Sequence, residues 1–186
     1  MADVDGYKAE IKRSFALVAP ISTQAAAIFY PTLWEVDPST KPLFKDTDMD
    51  KQGEKLMKTL GLAVMMLDKM DTLVPILQRL GKKHVSYGVK DEMYGSVGKA
   101  LLITLDKGLG EECTPLTKES WAWVLGVISG VCIAAAKEEV EATASARKDV
   151  EVEEAPAAIS EQEVEKAPAT AAKEVVEEAT PSKKGE

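Results

Sequence analysis

Leu80-Gly81-Lys82-Lys83-His84-Val85-Ser86-Tyr87-Gly88-Val89 contains the only histidine among 186 residues. Leu77 and Leu80 precede His84 at helical spacing, which puts all three on one face of a helix. Gly88 then supplies a natural helix stop. An imidazole pointing where leucines point has two ring nitrogens to satisfy in an apolar interior. Either it is a hydrogen-bonded core residue or it holds a metal. Spacing alone leaves both readings open.

Helical periodicity extends outward from this stretch in both directions. Residues 7–18 carry Ile11, Phe15 and Val18 on one face, with Asp3 or Asp5 available as N-cap. Pro20 separates them from a second helix over about 22–35, in which Pro31 interrupts the pattern and should kink it or remove one backbone bond. Asp37-Pro38 opens a short third helix ending near Leu43-Phe44. A fourth starts near Asp50 or Lys51 with Leu56, Leu60, Ala63 and Leu67 on one face. Asp71-Thr72 is expected to cap the fifth, which runs to His84. The sixth begins at Lys90-Asp91, with Tyr94, Val97, Leu101 and Leu105 on a shared face. Thr114-Pro115 starts the last, with Trp121, Val124, Ile128 and Val131 in a stripe. No segment alternates as a strand does. The expectation is an all-α domain of about seven helices.

Charge divides the chain. Residues 139–186 hold 13 acidic and 6 basic side chains, net −7, so the formal charge of −8 leaves only −1 for residues 1–138. The 139–186 stretch also lacks Leu, Met, Phe, Tyr and Trp. Its Ala/Glu/Pro/Lys-rich composition cannot bury enough apolar area to offset ordering at ~1–2 kcal/mol per residue, so a disordered acidic tail is expected there. Neither part shows a basic face, which argues against nucleic acid. No run reaches the ~18 apolar residues of a membrane span. Met-Ala-Asp-Val-Asp lacks the basic and apolar regions of a signal peptide. A cytoplasmic protein, monomer or homodimer, is the expectation. Cys113 and Cys132 form no Cys-x-x-Cys motif and read as reduced thiols.

The chemistry is narrowed by what is missing. There is no Gly-x-Gly-x-x-Gly, no P-loop and no His-Glu-x-x-His. One histidine and no cysteine pair cannot make a structural zinc site. Nothing local marks a nucleophile that His84 could serve. A buried site would therefore be a single-imidazole metal site, and haem is its usual form because the porphyrin supplies four ligands.

Several spaced motifs then agree on one family. Phe29-Tyr30, Leu33-Trp34-Glu35-Val36-Asp37-Pro38-Ser39 and Pro42-Leu43-Phe44 look like the second and third helices of a globin. Gln52, Lys55-Leu56-Met57 and Leu67-Asp68 look like its distal helix. Leu80 to His84 with Tyr87-Gly88-Val89 is similar to its proximal helix and following corner. Tyr94, Val97-Gly98, Leu101-Leu102 and Trp121 complete the order. The chain most resembles bacterial single-domain globins related to the haem domain of flavohaemoglobins, over nearly all of 1–138. The tail has no counterpart in the resemblance.

That resemblance implies haem b held by His84 as proximal iron ligand. The iron takes neutral imidazole through Nε2, and Nδ1–H is expected on the Leu80 carbonyl. Phe44, Leu56, Leu60, Leu80, Lys83, Tyr87, Val89, Tyr94 and Val97 are the implied cofactor neighbours, with Lys83 near a propionate and Phe44 as the wedge. Tyr30, Gln52 and Leu56 are the implied distal residues. Tyr30 and Gln52 would donate to O₂, which gains negative charge on iron. Tyr94 matches a tyrosine that joins the proximal imidazole in a network with a late carboxylate. Here that carboxylate position falls near Ala136, with Glu138 displaced. The leading reading is reversible binding of O₂, with NO or CO as further ligands. The alternative is nitric oxide dioxygenation, which requires a separate reductase, since no flavin or nicotinamide domain follows residue 138. A haem-free helical module whose acidic tail recruits a basic partner is the third.

Overall fold

The computed structural model describes residues 3–153, with side chains to residue 145. Six α-helices and three short 3-10 segments account for the architecture, and no strand occurs among the described residues. Helix α1 (Val4–Val18) is capped by Asp3, whose carboxylate accepts the Gly6 N–H at 3.0 Å. Pro20 tightens the next three residues into a 3-10 turn before α2 (Ser22–Val36). Pro31 stays inside α2, where its ring removes only the bond to the carbonyl four residues earlier.

The expected third helix is a 3-10 segment, Pro38–Phe44. Asp37 caps it by accepting from Ser39, and also accepts the Ser96 hydroxyl at 2.8 Å, tying this corner to the fifth helix. Helix α3 (Met49–Met65) is capped by Asp48. Helix α4 (Met70–Ser86) begins without a side-chain cap, and its N-cap is Lys69. Asp71 therefore lies in the first turn instead of capping it, where its charge still favours the helix dipole. Helix α5 (Asp91–Leu109) ends at Gly110, whose φ is +54°.

Helix α6 (Pro115–Glu153) does not stop at residue 138. The expected boundary is corrected: Ala, Glu and Lys are strong helix formers, so the composition read as a tail continues the helix, with side chains 140–145 exposed. The disorder expected farther along, over 154–186, lies outside the described residues.

Packing divides the core in two. The larger cluster joins Ile11, Phe29, Tyr30, Leu33, Leu67, Leu101, Leu105, Trp121 and Val124. The smaller joins Ala63, Leu73, Leu77 and Cys132, with Leu80 and Tyr94 against it. Helix α2 packs on α5 and α3, whereas α4 packs mainly on α6. Thus α3 and α4, consecutive in sequence, take different partners and scarcely touch along their lengths. Two stretches, Val4–Val36 and Pro115–Ser145, are long and apolar enough to cross a membrane by length and composition. In this fold their apolar faces form the α1–α6 and α2–α5 packing surfaces.

A polar clamp secures α1 to α6. Buried Glu10 receives a bidentate pair from Arg13 at 2.8 Å and the hydroxyl of Thr117, and Arg13 reaches on to Glu112. One helical turn along, the Trp121 indole donates to the fully buried Ser14 hydroxyl at 2.9 Å. Glu10→Ala takes the carboxylate from the Thr117 hydroxyl and leaves Arg13 with Glu112 alone, and is expected to cost about 2 kcal/mol in urea unfolding at neutral pH. The Arg13 guanidinium, then the Thr117 hydroxyl, hold the Glu10 carboxyl below its ordinary value. Its contribution is therefore complete above the unfolded carboxylate pKa of about 4.3 and is lost as pH falls through the lower folded value. The stability gap between wild type and Glu10→Ala should narrow in that window; a gap constant down to pH 3 would contradict the assignment.

Candidate functional site

The stretch around His84 closes α4 with a defined geometry. Gly88 adopts φ +77°, its N–H donates to the Val85 carbonyl at 3.0 Å, and the Val89 N–H donates to the His84 carbonyl at 3.1 Å. This paired arrangement is a Schellman motif, and the left-handed residue it needs is glycine. It fixes the His84 backbone at the last turn of the helix. Leu77, two turns earlier, is buried in the smaller core. The imidazole between these anchors is partly buried, and burial pushes its pKa below the ordinary histidine value. Neutral imidazole is the form a metal requires.

His84 Nδ1 lies 3.3 Å from the Tyr94 hydroxyl, with the rings nearly perpendicular at 88°. This corrects the expected partner. The Leu80 carbonyl is one turn back, where a helix uses it for the His84 backbone N–H, and Tyr94 on α5 reaches the ring instead. Burial raises the Tyr94 pKa to about 12, so the phenol stays protonated. With Nδ1–H donating to the phenol oxygen, Nε2 presents a free lone pair; the other tautomer would leave Nε2 protonated and unable to ligate. Among the described residues no carboxylate from α6 joins the pair. Ala135 and Ala136 are buried there, Glu138 is exposed, and Glu139 pairs with Lys82 at 3.7 Å.

The remaining proximal candidates occupy the rim. Tyr87 is 54% exposed and meets His84 edge-on at 6.3 Å between ring centroids. Lys83 is exposed, with its ammonium 5.9 Å from the Tyr87 ring. Val89 is partly buried.

The distal candidates gather on α2, the 3-10 corner and α3. Tyr30 is buried among Phe29, Phe44 and Trp34, at centroid distances of 5.0, 5.4 and 6.2 Å. Its hydroxyl donates to the main-chain carbonyl of Gln52 at 3.3 Å. That is long for an O–H···O bond, so the donor is weakly committed. Burial first, opposed by the Gln52 side chain, moves the Tyr30 pKa up to about 12, so it too remains a donor. The link to Gln52 through its backbone was not legible from side-chain types. Leu56, Leu60 and Val97 are partly buried against the larger core.

The structure therefore brings together Tyr30, Gln52 and Phe44 at one end and His84, Tyr94 and Tyr87 at the other. The first set adjoins the larger core and the second the smaller, across the divide between α3 and α4. Among the described residues no three His, Cys, Asp or Glu side chains converge to hold a metal ion. One free imidazole nitrogen beside apolar, partly buried walls suits a metal that arrives with its own ligands, as in haem. A cavity of about 690 Å³ on the α2–α3 flank is a different feature, lined by Tyr30, Trp34, Met49 and Met57 but not by His84. Sequence reading also missed Gly81, whose backbone abuts that of Cys132 on α6. The available signal was a glycine inside a helical pattern.

Comparison with known proteins agrees with this geometry. The family model described as Globin matches residues 27–132. A flavohemoprotein of Oceanobacillus iheyensis is 34% identical over 112 residues, which is 59% of this chain and 28% of that protein. Flavohemoproteins of Bacillus subtilis and Bordetella parapertussis are 30% and 29% identical, over 61% and 65% of this chain and 29% and 30% of their own lengths. The matched region thus spans under a third of each relative. An all-helical fold whose sequence the Globin family model matches from α2 into α6, over more than half of the chain, establishes that the chain belongs to the globin family.

Proposed function

We propose that this globin holds haem b between α3 and α4 through His84 and reversibly binds O₂, in storage, scavenging or sensing. The observation that carries the reading is the pair of tyrosine contacts: Tyr94 on the His84 Nδ1 and Tyr30 loosely held by the Gln52 carbonyl. Haem supplies an iron to which a diatomic gas can add. The residues of the chain do the rest. Tyr94 orients the imidazole and selects the tautomer with Nε2 free. Phe44, Leu56, Leu60 and Val97 supply apolar walls, and Lys83 stands at the rim for a propionate. Tyr30 can exchange a 3.3 Å bond for a stronger one to a ligand carrying negative charge. Gln52, in the first turn of α3, would add a second donor through its side-chain amide.

Spectroscopy tests the cofactor. Haem-loaded wild type should show a Soret band and a five-coordinate ferrous state, because one chain offers no second histidine. Met57, the next candidate for the sixth position, packs into the larger core and lines the α2–α3 cavity. His84→Ala should lose the ferrous five-coordinate spectrum, and added imidazole should restore it. A six-coordinate low-spin ferrous spectrum at neutral pH counts against the reading.

The distal assignment has its own measurement. Tyr30→Phe removes one charge-assisted donor worth about 1.5–3 kcal/mol, so O₂ release in stopped-flow displacement should accelerate about 10–100-fold. An unchanged release rate removes Tyr30 from the site.

Nitric oxide dioxygenation is the second reading, favoured by the similarity to flavohemoproteins and by the Tyr94–His84 bond. Weighing against it, small residues occupy the α6 position where a carboxylate would make the imidazole more anionic. NO consumption with an added flavin reductase, measured against the uncatalysed reaction with O₂, separates the two. No acceleration leaves a gas-binding protein.

A further inference from the structure

We propose that Gly81 is a positioning residue: its backbone contact with Cys132 on α6 sets where the His84 imidazole stands. The proposal rests on the haem reading above and adds a determinant that lies outside the ligand and its hydrogen-bond partner. Gly81 is buried, and a Cβ built on it would lie 2.8 Å from the Cys132 Cα and 2.9 Å from its carbonyl carbon. Both are main-chain atoms of a packed helix, so no side chain can swing aside to relieve the overlap.

The same α6 residue holds α4 a second time. The Cys132 thiol is 1% exposed and donates to the Leu77 carbonyl at 3.4 Å, one turn before Gly81. Two contacts one turn apart fix both the separation and the register of α4 on α6. His84 follows three residues after Gly81 on the same continuous helix, and the Schellman closure at Gly88 secures the helix end just beyond it. Displacement at Gly81 is therefore carried to the imidazole. The ring's other restraint, the 3.3 Å approach of Tyr94, is already long and tolerates little further separation.

Energetics point the same way. Glycine inside a helix costs about 1 kcal/mol relative to alanine, so its presence at a buried crossing calls for a steric reason. That reason is helix approach, since φ there is ordinary. With Ala135 and Ala136 beside the crossing, this chain controls the imidazole by helix placement where a charged neighbour is absent.

The test uses haem-loaded protein and the iron–imidazole stretching band of the unliganded ferrous state, read by resonance Raman. Gly81→Ala should displace that band and speed haem transfer to an acceptor apoprotein about tenfold. In a His84→Gly background supplied with free imidazole, the ligand is no longer tied to α4. Gly81→Ala should then leave the band where it was. Cys132→Leu, which pushes on α4 from a side chain, should displace the band in the same sense and keeps the proposal testable if Gly81→Ala fails to fold. An unmoved band in folded Gly81→Ala or Cys132→Leu, or an equal displacement in the free-imidazole background, overturns the proposal. Wild-type protein that takes up no haem overturns both this and the cofactor reading, whereas a normal Soret band with an unmoved Gly81→Ala band removes this one alone.

Discussion

A neutral imidazole held at the divide between two apolar clusters is the constraint on which this fold turns. Histidine in such a place needs one nitrogen satisfied by the protein and the other left usable. The structure sets a phenol from α5 against Nδ1, and with Nδ1–H donating to it the second nitrogen is free. Everything that orients the ring belongs to the smaller core: Leu77, Leu80, Tyr94 and Cys132. The groups that could meet a gas ligand belong to the larger. Separate support for the two sides lets α3 and α4 stand apart without either helix losing its packing.

That separation explains which readings succeeded from sequence. Apolar periodicity located all the helices, because each buries a stripe against a particular partner. It also placed Leu77, Leu80 and His84 on one face, and the Gly88 stop is realised with φ +77°. What periodicity does not encode is which neighbour supplies a hydrogen bond. Leu80 was the local choice for Nδ1, and Tyr94 from another helix took the position. Likewise the Gln52 group that touches Tyr30 is a main-chain carbonyl, which no residue type announces. Asp71-Thr72 had capping chemistry but lay one residue inside a helix that starts at Met70.

The end of α6 shows a different ambiguity. Ala, Glu and Lys favour a solvated chain when nothing apolar accompanies them, yet the same residues have high helix propensity. Composition therefore marked where the core stops supplying contacts, near Ala136, whereas the helix continues through the described residues to Glu153. Val140, half exposed, belongs to this unsupported continuation.

Placing small residues on α6 opposite the proximal helix has two consequences that share one cause. Gly81 against Cys132 lets α4 lie close, and Ala135 and Ala136 leave no carboxylate to polarise the Tyr94–His84 pair. A hydrogen bond to a neutral phenol withdraws less proton character from Nδ1 than one to an ionised group would. On the proposed haem reading, an imidazole held this way would be a less electron-rich ligand, which suits retention of a bound gas over cleavage of its bond. On the opposite side Tyr30 keeps a donor that is buried, un-ionised and only weakly engaged. If His84 holds haem as proposed, the Tyr94 contact and the Tyr30 donor would act in one direction, toward slow release of an intact diatomic molecule.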